Sequence, residues 1–510
     1  MKENIKKSAI ILTIVTLACK LIGFVKNIVL AKYWGTGSVV DAYVMVFAVG
    51  NIVFGWIGGF TGNFTPEYKR LLISSGRSKA DDFANNLKNW LVIITAIFVI
   101  LFEVFAEKIV HIIAPGYKGE VYEITVLFWK IYAVSFFALV LYRLYKEYIN
   151  CNEKYIYASL PDLLMSSLCI VSIVVSAYTR KEFLIWGYVV AIVLEAIIEK
   201  IMASKIGFKS KLKCTFDDSI KAIVITVFPM FLSDTLVEIN SFVDKIFASN
   251  LATGTMAILD YANNVKNIAY ETGVIAIITI MYPRMSELWA KRDIDTFKSN
   301  IQKNIRLMCL LFLPVSFGFV VAGKYLIAFI YQRGAFTEIS TQQTTDALIM
   351  YAIGLTAVVM RLILNKVFCA MQMTRYVFVT SVVNVLVNIG MNFLLVDKIG
   401  MKGLALSTSV AAIIAMFIGF AILGVKLKIR YVHTMFAIIK MLCASIVMYG
   451  VISFMKYYFL DGIYWGSMTF ALQLLICLLV GIVVYVAMLY LLKIDEIKFC
   501  VDYAKKKIRR

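Results

Sequence analysis

Apolar residues run along this chain in stretches of about 20, the length that carries a helix across roughly 30 Å of hydrocarbon. Short polar breaks separate the stretches. Membrane strands would alternate apolar and polar positions with period two, and these stretches do not. The pattern predicts fourteen spans, at 8–33, 38–60, 88–112, 122–149, 155–178, 183–204, 219–246, 256–283, 304–330, 342–371, 375–397, 402–425, 434–459 and 466–492. The first is too long for a signal peptide and lacks a small-residue cleavage site, so it is expected to stay attached.

The pattern repeats. Thr36-Gly37-Ser38 and Asp41-Ala42-Tyr43 follow span one, and Thr253-Gly254-Thr255 and Asp260-Tyr261-Ala262 follow span seven, with the two acids 219 positions apart. Pro115, after span three, and Gly334, after span nine, keep the same separation. Lys154-Tyr155 opens span five and Arg375-Tyr376 opens span eleven, 221 apart. A repeat of six spans, an even number, gives two halves of like orientation about an axis along the membrane normal, with a substrate path expected between two lobes. The chain is therefore expected to be an all-α polytopic membrane protein. Residues 1–215 form an N-lobe and 216–428 a C-lobe, and 429–510 form a C-terminal helix pair with a basic tail.

Composition agrees with lipid as the solvent, since 61% of the 510 residues are hydrophobic and 16% charged, against about 45–50% and about 25% in soluble domains. The net charge of +20 raises the question of a nucleic-acid partner. The basic residues answer it, because they gather in alternate short loops: Lys69, Arg70, Arg77 and Lys79, then Lys205 to Lys213, Arg284 to Lys298, Lys426 to Arg430, and the tail. The positive-inside rule then places both termini in the cytoplasm, and the charge reads as topology and attraction to anionic lipid rather than nucleic-acid binding. Nine cysteines without a CxxC pair read as small core residues. The two histidines, His111 and His433, lie far apart at span ends and offer no metal site.

Polar side chains inside spans carry the candidate chemistry, because a lysine at a helix centre costs roughly 2.5–3.5 kcal/mol and faces a wet cavity or a partner. Span one holds Lys20 and Lys26, with Asp41 a candidate partner for Lys26. Span seven holds Asp234, Glu238, Asp244 and Lys245, and span eight holds Asp260, Asn263, Asn264, Lys266 and Glu271. Asn384, Asn388 and Asn392 follow i, i+4 spacing in span eleven, as interhelical hydrogen-bond glue does, and span twelve adds Ser407, Thr408 and Ser409. Pro161, Pro229 and Pro314 fall within spans and kink or hinge them. No paired acids or His/Asp cluster at a membrane face suggests an enzyme, and no Gly-rich phosphate loop suggests ATP hydrolysis.

The run Lys20-Leu21-Ile22-Gly23-Phe24-Val25-Lys26, with Gly35-Thr36-Gly37 and Asp41-Ala42-Tyr43, resembles the opening of the MurJ (MviN) lipid II flippases. So do Phe64-Thr65-Pro66, Ala114-Pro115-Gly116-Tyr117, Ile246-Phe247-Ala248-Ser249, Arg333-Gly334-Ala335-Phe336-Thr337 and Gly403-Leu404-Ala405-Leu406-Ser407-Thr408-Ser409. The resemblance implies a MATE-like fold of fourteen helices in the bacterial cytoplasmic membrane. It also implies alternating access, with a cationic cavity for the pyrophosphate and sugars of an undecaprenyl-linked precursor and a groove by the last two helices for its tail. The cavity residues it points to are Lys20, Lys26, Asp41, Asn264 and Lys266. It extends to a sodium site at Asp244, Asn384, Asn388 and Thr408, with no other cofactor, and to cell-wall synthesis proteins as partners beside membrane lipid.

This chain departs from the family pattern where arginines are usual. Lys20 and Lys26 stand in their place, Asn51 to Pro66 holds no basic residue, and Ala262-Asn263-Asn264 replaces Ala-Asp-Arg. Lysine keeps the charge but lacks the planar fork that grips a diphosphate. Lipid II or a related lipid-linked oligosaccharide is the expected cargo. The alternatives are a polysaccharide repeat-unit exporter, an ion-coupled small-molecule exporter and a transport-inactive scaffold.

Overall fold

The structure, a computed structural model, describes residues 5–212, 214–459 and 467–496, leaving out the side chains of 5–13, 53, 54, 56, 226, 228–239, 271, 272, 275 and 276. The side chains of Pro229, Asp234, Glu238 and Glu271 thus lie outside the described residues. Among those described there are helices and no strands. They are α1 (Ile5–Trp34), α2 (Ser38–Ser75), α3 (Arg77–Val104), α4 (Ala106–Ile113), α5 (Glu120–Cys151), α6 (Tyr155–Tyr178), α7 (Phe183–Lys205) and α8 (Asp218–Ser249). They continue as α9 (Thr255–Ala290), α10 (Ile294–Tyr331), α11 (Glu338–Ala370), α12 (Thr374–Ile399), α13 (Met401–Leu427), α14 (Val432–Phe459) and α15 (Met468–Leu491).

Helix starts follow local chemistry. The side chains of Asp217, Asp293, Thr337 and Ser467 accept the N–H three residues on, opening α8, α10, α11 and α15. Among the described residues ten helices are long and apolar enough to cross a membrane, or eleven if the segments Ser38–Ile52 and Ile57–Ser75 of α2, bent by 42°, count as one span. Length and composition therefore support ten or eleven of the fourteen crossings expected. Helix α7 is not among them, because any stretch of it long enough to span contains the charges of Glu195, Glu199 and Lys200.

The repeat is visible in the backbone. Glu153 and Gln372, both non-glycine residues with positive φ (61° and 57°), stand 219 positions apart, and so do Gly35 and Gly254. The turn after α5 bonds Lys154 N to Ile149 O, and the turn after α11 bonds Met373 N to Phe368 O in the same register. Each is the six-to-one bond of a Schellman stop. Helix pairings recur as well: α3 with α5 and α10 with α11, α5 with α7 and α11 with α13, α6 with α7 and α12 with α13.

Packing divides the chain into two compact units, Met1–Ala257 and Ile258–Arg510. In the first, α2 packs on α5 and α8, α1 on α6, and α7 on α5 and α6. Tyr132, Phe47 and Tyr188 meet as an aromatic cluster with centroids 4.7–5.5 Å apart. In the second, α10, α11 and α13 build a core around Phe312, Met360, Leu364 and Phe368, and α14 and α15 join it through Met448, Ile452 and Tyr485.

Candidate functional site

In the first unit the charged residues of α1 and the start of α2 have distinct environments. Lys20 is exposed, while Lys26 is half-buried with its Nζ 5.9 Å from the Tyr43 ring centroid, a cation–π approach across α1 and α2. Asp41 is 1% exposed. Its carboxylate accepts the backbone N–H of Gly254 at 2.5 Å and of Ala257 at 2.8 Å, satisfying donors at the start of α9. The turns around it are tight, since a Cβ on Gly116 would lie 2.2 Å from Ser249 O. Burial, reinforced by the nearby Asp41 charge, pushes the phenol of Tyr117 in that loop well above its ordinary range. Asp244, on α8, is half-buried.

In the second unit Lys266 is 8% exposed with its Nζ 4.5 Å from the Tyr351 ring centroid, so α11 holds this cation by an aromatic face. Asn264 donates to Asp260 at 2.9 Å, one turn back on α9. Asn384 and Asn388 are buried on α12; Asn388 Oδ1 accepts from Asn392 at 3.3 Å, and Asn388 Nδ2 has no partner among the described residues. Thr408 donates to Leu404 O at 3.1 Å. Sodium needs converging oxygens, and Asn384 and Asn388 of α12 with Thr408 of α13 offer neutral ones.

Several charges escaped the sequence reading. Arg143 on α5 borders a cavity of about 130 Å³ with Asn51 of α2, Met165 of α6 and Tyr188 of α7. One turn on, Lys146 donates to both oxygens of Asp162 at 2.6 Å, tying α5 to α6. Glu199 on α7 is fully buried, and neither of its carboxylate oxygens has a hydrogen-bond partner among the described residues. On α11, Arg361 buries an Nε that likewise finds no partner. The available signal was a single charge inside an apolar run, which composition averages away.

A second cavity, of about 450 Å³, lies along α10, α14 and α15. Leu310, Phe319, Met448, Leu478 and Ile482 line it, and no charged residue does.

The family described as "Lipid II flippase MurJ" matches residues 30–484. The chain belongs to that family. It is 25% identical over 499 residues to a "Probable lipid II flippase MurJ" of Rickettsia prowazekii (strain Madrid E), covering 96% of this chain and 98% of that protein. A protein of the same description from Thermotoga maritima is 24% identical, covering 97% and 98%. Among solved structures, "Lipid II flippase MurJ, inward closed conformation" superposes with a TM-score of 0.78 at 22% identity, covering 94% of this chain and 98% of that one. An inward-facing multidrug resistance MATE family transporter superposes at 0.67 with 12% identity, covering 80% and 94%, so the fold is MATE-like. The family is one of multi-pass membrane transporters of lipid-linked precursors and not of enzymes.

Proposed function

We propose that this chain translocates an undecaprenyl-pyrophosphate-linked cell-wall precursor across the bacterial cytoplasmic membrane by alternating access. The observation that carries this reading is the uncharged groove along α10, α14 and α15. Its lining keeps a polyprenyl tail in surroundings as apolar as the bilayer, and it asks for no polar partner in return. Half-buried Lys26 and buried Lys266 supply the opposite chemistry, cations held at aromatic faces and suited to a diphosphate and its sugars. Both termini sit on the cytoplasmic side in this reading, as the basic loops require.

Lysine presents a point charge where arginine presents a fork, which favours a lipid-linked oligosaccharide related to lipid II as a second candidate cargo. Expression in cells depleted of their own lipid II flippase tests the choice. Restored growth supports lipid II. Failure, with the protein present in the membrane at a normal level, rejects lipid II as cargo.

A further inference from the structure

The cavity beside Arg143 is built by four helices of the first unit. Gly50, Asn51 and Gly55 come from α2, Tyr132, Tyr142 and Arg143 from α5, and α6 and α7 close it with Met165 and Tyr188. Its lining contains one cation and no acid. Hydroxyl and amide groups from Asn51 and the tyrosines add neutral donors, the complement an anion needs.

Arg143 itself makes no ion pair and no hydrogen bond among the described residues, whereas the next basic residue on its helix, Lys146, is held by Asp162 at 2.6 Å. On the other helices packed here the remaining acids are Asp41 and Glu67 of α2, engaged by the Gly254 and Ala257 amides and by Arg70, and Glu195 and Glu199 of α7, both buried; among the described residues none of them pairs with Arg143. An unpaired guanidinium in a membrane helix is costly and marks a functional site. Its Nη1 comes within 3.4 Å of where a Cβ of Gly58 on α2 would stand. Between Asn51 and Pro66, α2 has no basic residue. Helix α2 therefore supplies space, and α5 supplies the charge that fills its edge.

We infer that Arg143 and the glycine-walled cavity between α2 and α5 form a subsite for the diphosphate group of a lipid-linked substrate. The inference rests on the proposed function for the source of that group and on the geometry for its place. The guanidinium fork meets two phosphate oxygens at once, restoring the planar recognition that Lys20 and Lys26 do not provide.

Full-length protein in phosphatidylcholine nanodiscs, titrated with inorganic pyrophosphate, tests it. Wild type binds, Arg143→Gln weakens binding at least tenfold, and Arg143→Lys falls between them. Gly55→Leu gives an independent variant. A Cβ on Gly55 meets nothing within 4 Å, so leucine occupies the cavity without a backbone clash and lowers affinity while Arg143 stays in place. Equal affinity in wild type and Arg143→Gln overturns the inference, as does absence of binding by wild type. Loss of pyrophosphate binding when phosphatidylglycerol is added to the discs also overturns it, by assigning the site to membrane lipid. Growth of flippase-depleted cells separates the two readings. Rescue by wild type and Arg143→Gln alike removes the subsite and leaves the function. Arginine-dependent binding without rescue by wild type leaves the subsite and removes lipid II as cargo.

Discussion

The carboxylate of Asp41 accepts the backbone N–H of Gly254 at 2.5 Å, although 213 residues separate them. A second oxygen takes the N–H of Ala257, so one buried acid satisfies two donors at the opening of α9. Replacing it with alanine leaves both donors unmet, at a cost of about 1–3 kcal/mol. Asp41→Ala is expected to melt several degrees lower in detergent and to speed hydrogen exchange at Gly254 and Ala257, while Asp41→Asn retains one acceptor and loses less. Unchanged exchange at both amides in the alanine variant counts against this role.

Gly254 is constrained from two directions. Its φ is +94°, and an added Cβ would lie 2.2 Å from Thr36 O, a backbone atom that has no room to move. Gly254→Ala is thus expected to destabilise more than Asp41→Ala. A melting temperature equal to wild type would show that the loop relaxes freely.

Lys20 and Lys26 test the cationic half of the proposed function. The double change to alanine is expected to abolish rescue of flippase-depleted cells at an undiminished membrane level, and the double change to arginine to preserve it. Growth with both alanines present removes these lysines from the substrate path.

Gly318 tests the apolar half. It lines the groove on α10, and a Cβ there meets nothing within 4 Å. Gly318→Phe fills the groove from within, so rescue is expected to fall at least tenfold with little change in melting temperature. Full rescue would mean that the tail takes another course.

Glu199 makes the opposite kind of prediction. It is 0% exposed and neither of its oxygens has a hydrogen-bond partner among the described residues, and a buried polar group left unmet costs about 1–3 kcal/mol. Glu199→Leu is expected to raise the melting temperature, and Glu199→Gln to raise it less. A fall in both would show that the carboxylate has a partner in the working protein.

The helices and the repeat were legible because each rests on local information. Apolar run length marks a span, and Glu153 and Gln372 close equivalent turns at a spacing the sequence already displays. The partners of the charged residues were hidden because they are tertiary. Nothing near Asp41 announces Gly254, and nothing near Lys266 announces Tyr351. Arg143 was overlooked for a related reason: its setting depends on glycines of α2 that lie some 90 positions earlier in the chain, and only packing brings them to it.

Helix α7, with Glu195, Glu199 and Lys200 in every stretch long enough to span, bears on how the protein is made. Such a segment partitions poorly into lipid by itself. Ribosomal synthesis delivers α5 and α6 first, and these are the helices that α7 packs against. The order of the gene thus provides a prepared protein surface for a helix that the bilayer alone would turn away, and a chain with α5 deleted is expected to leave α7 in water.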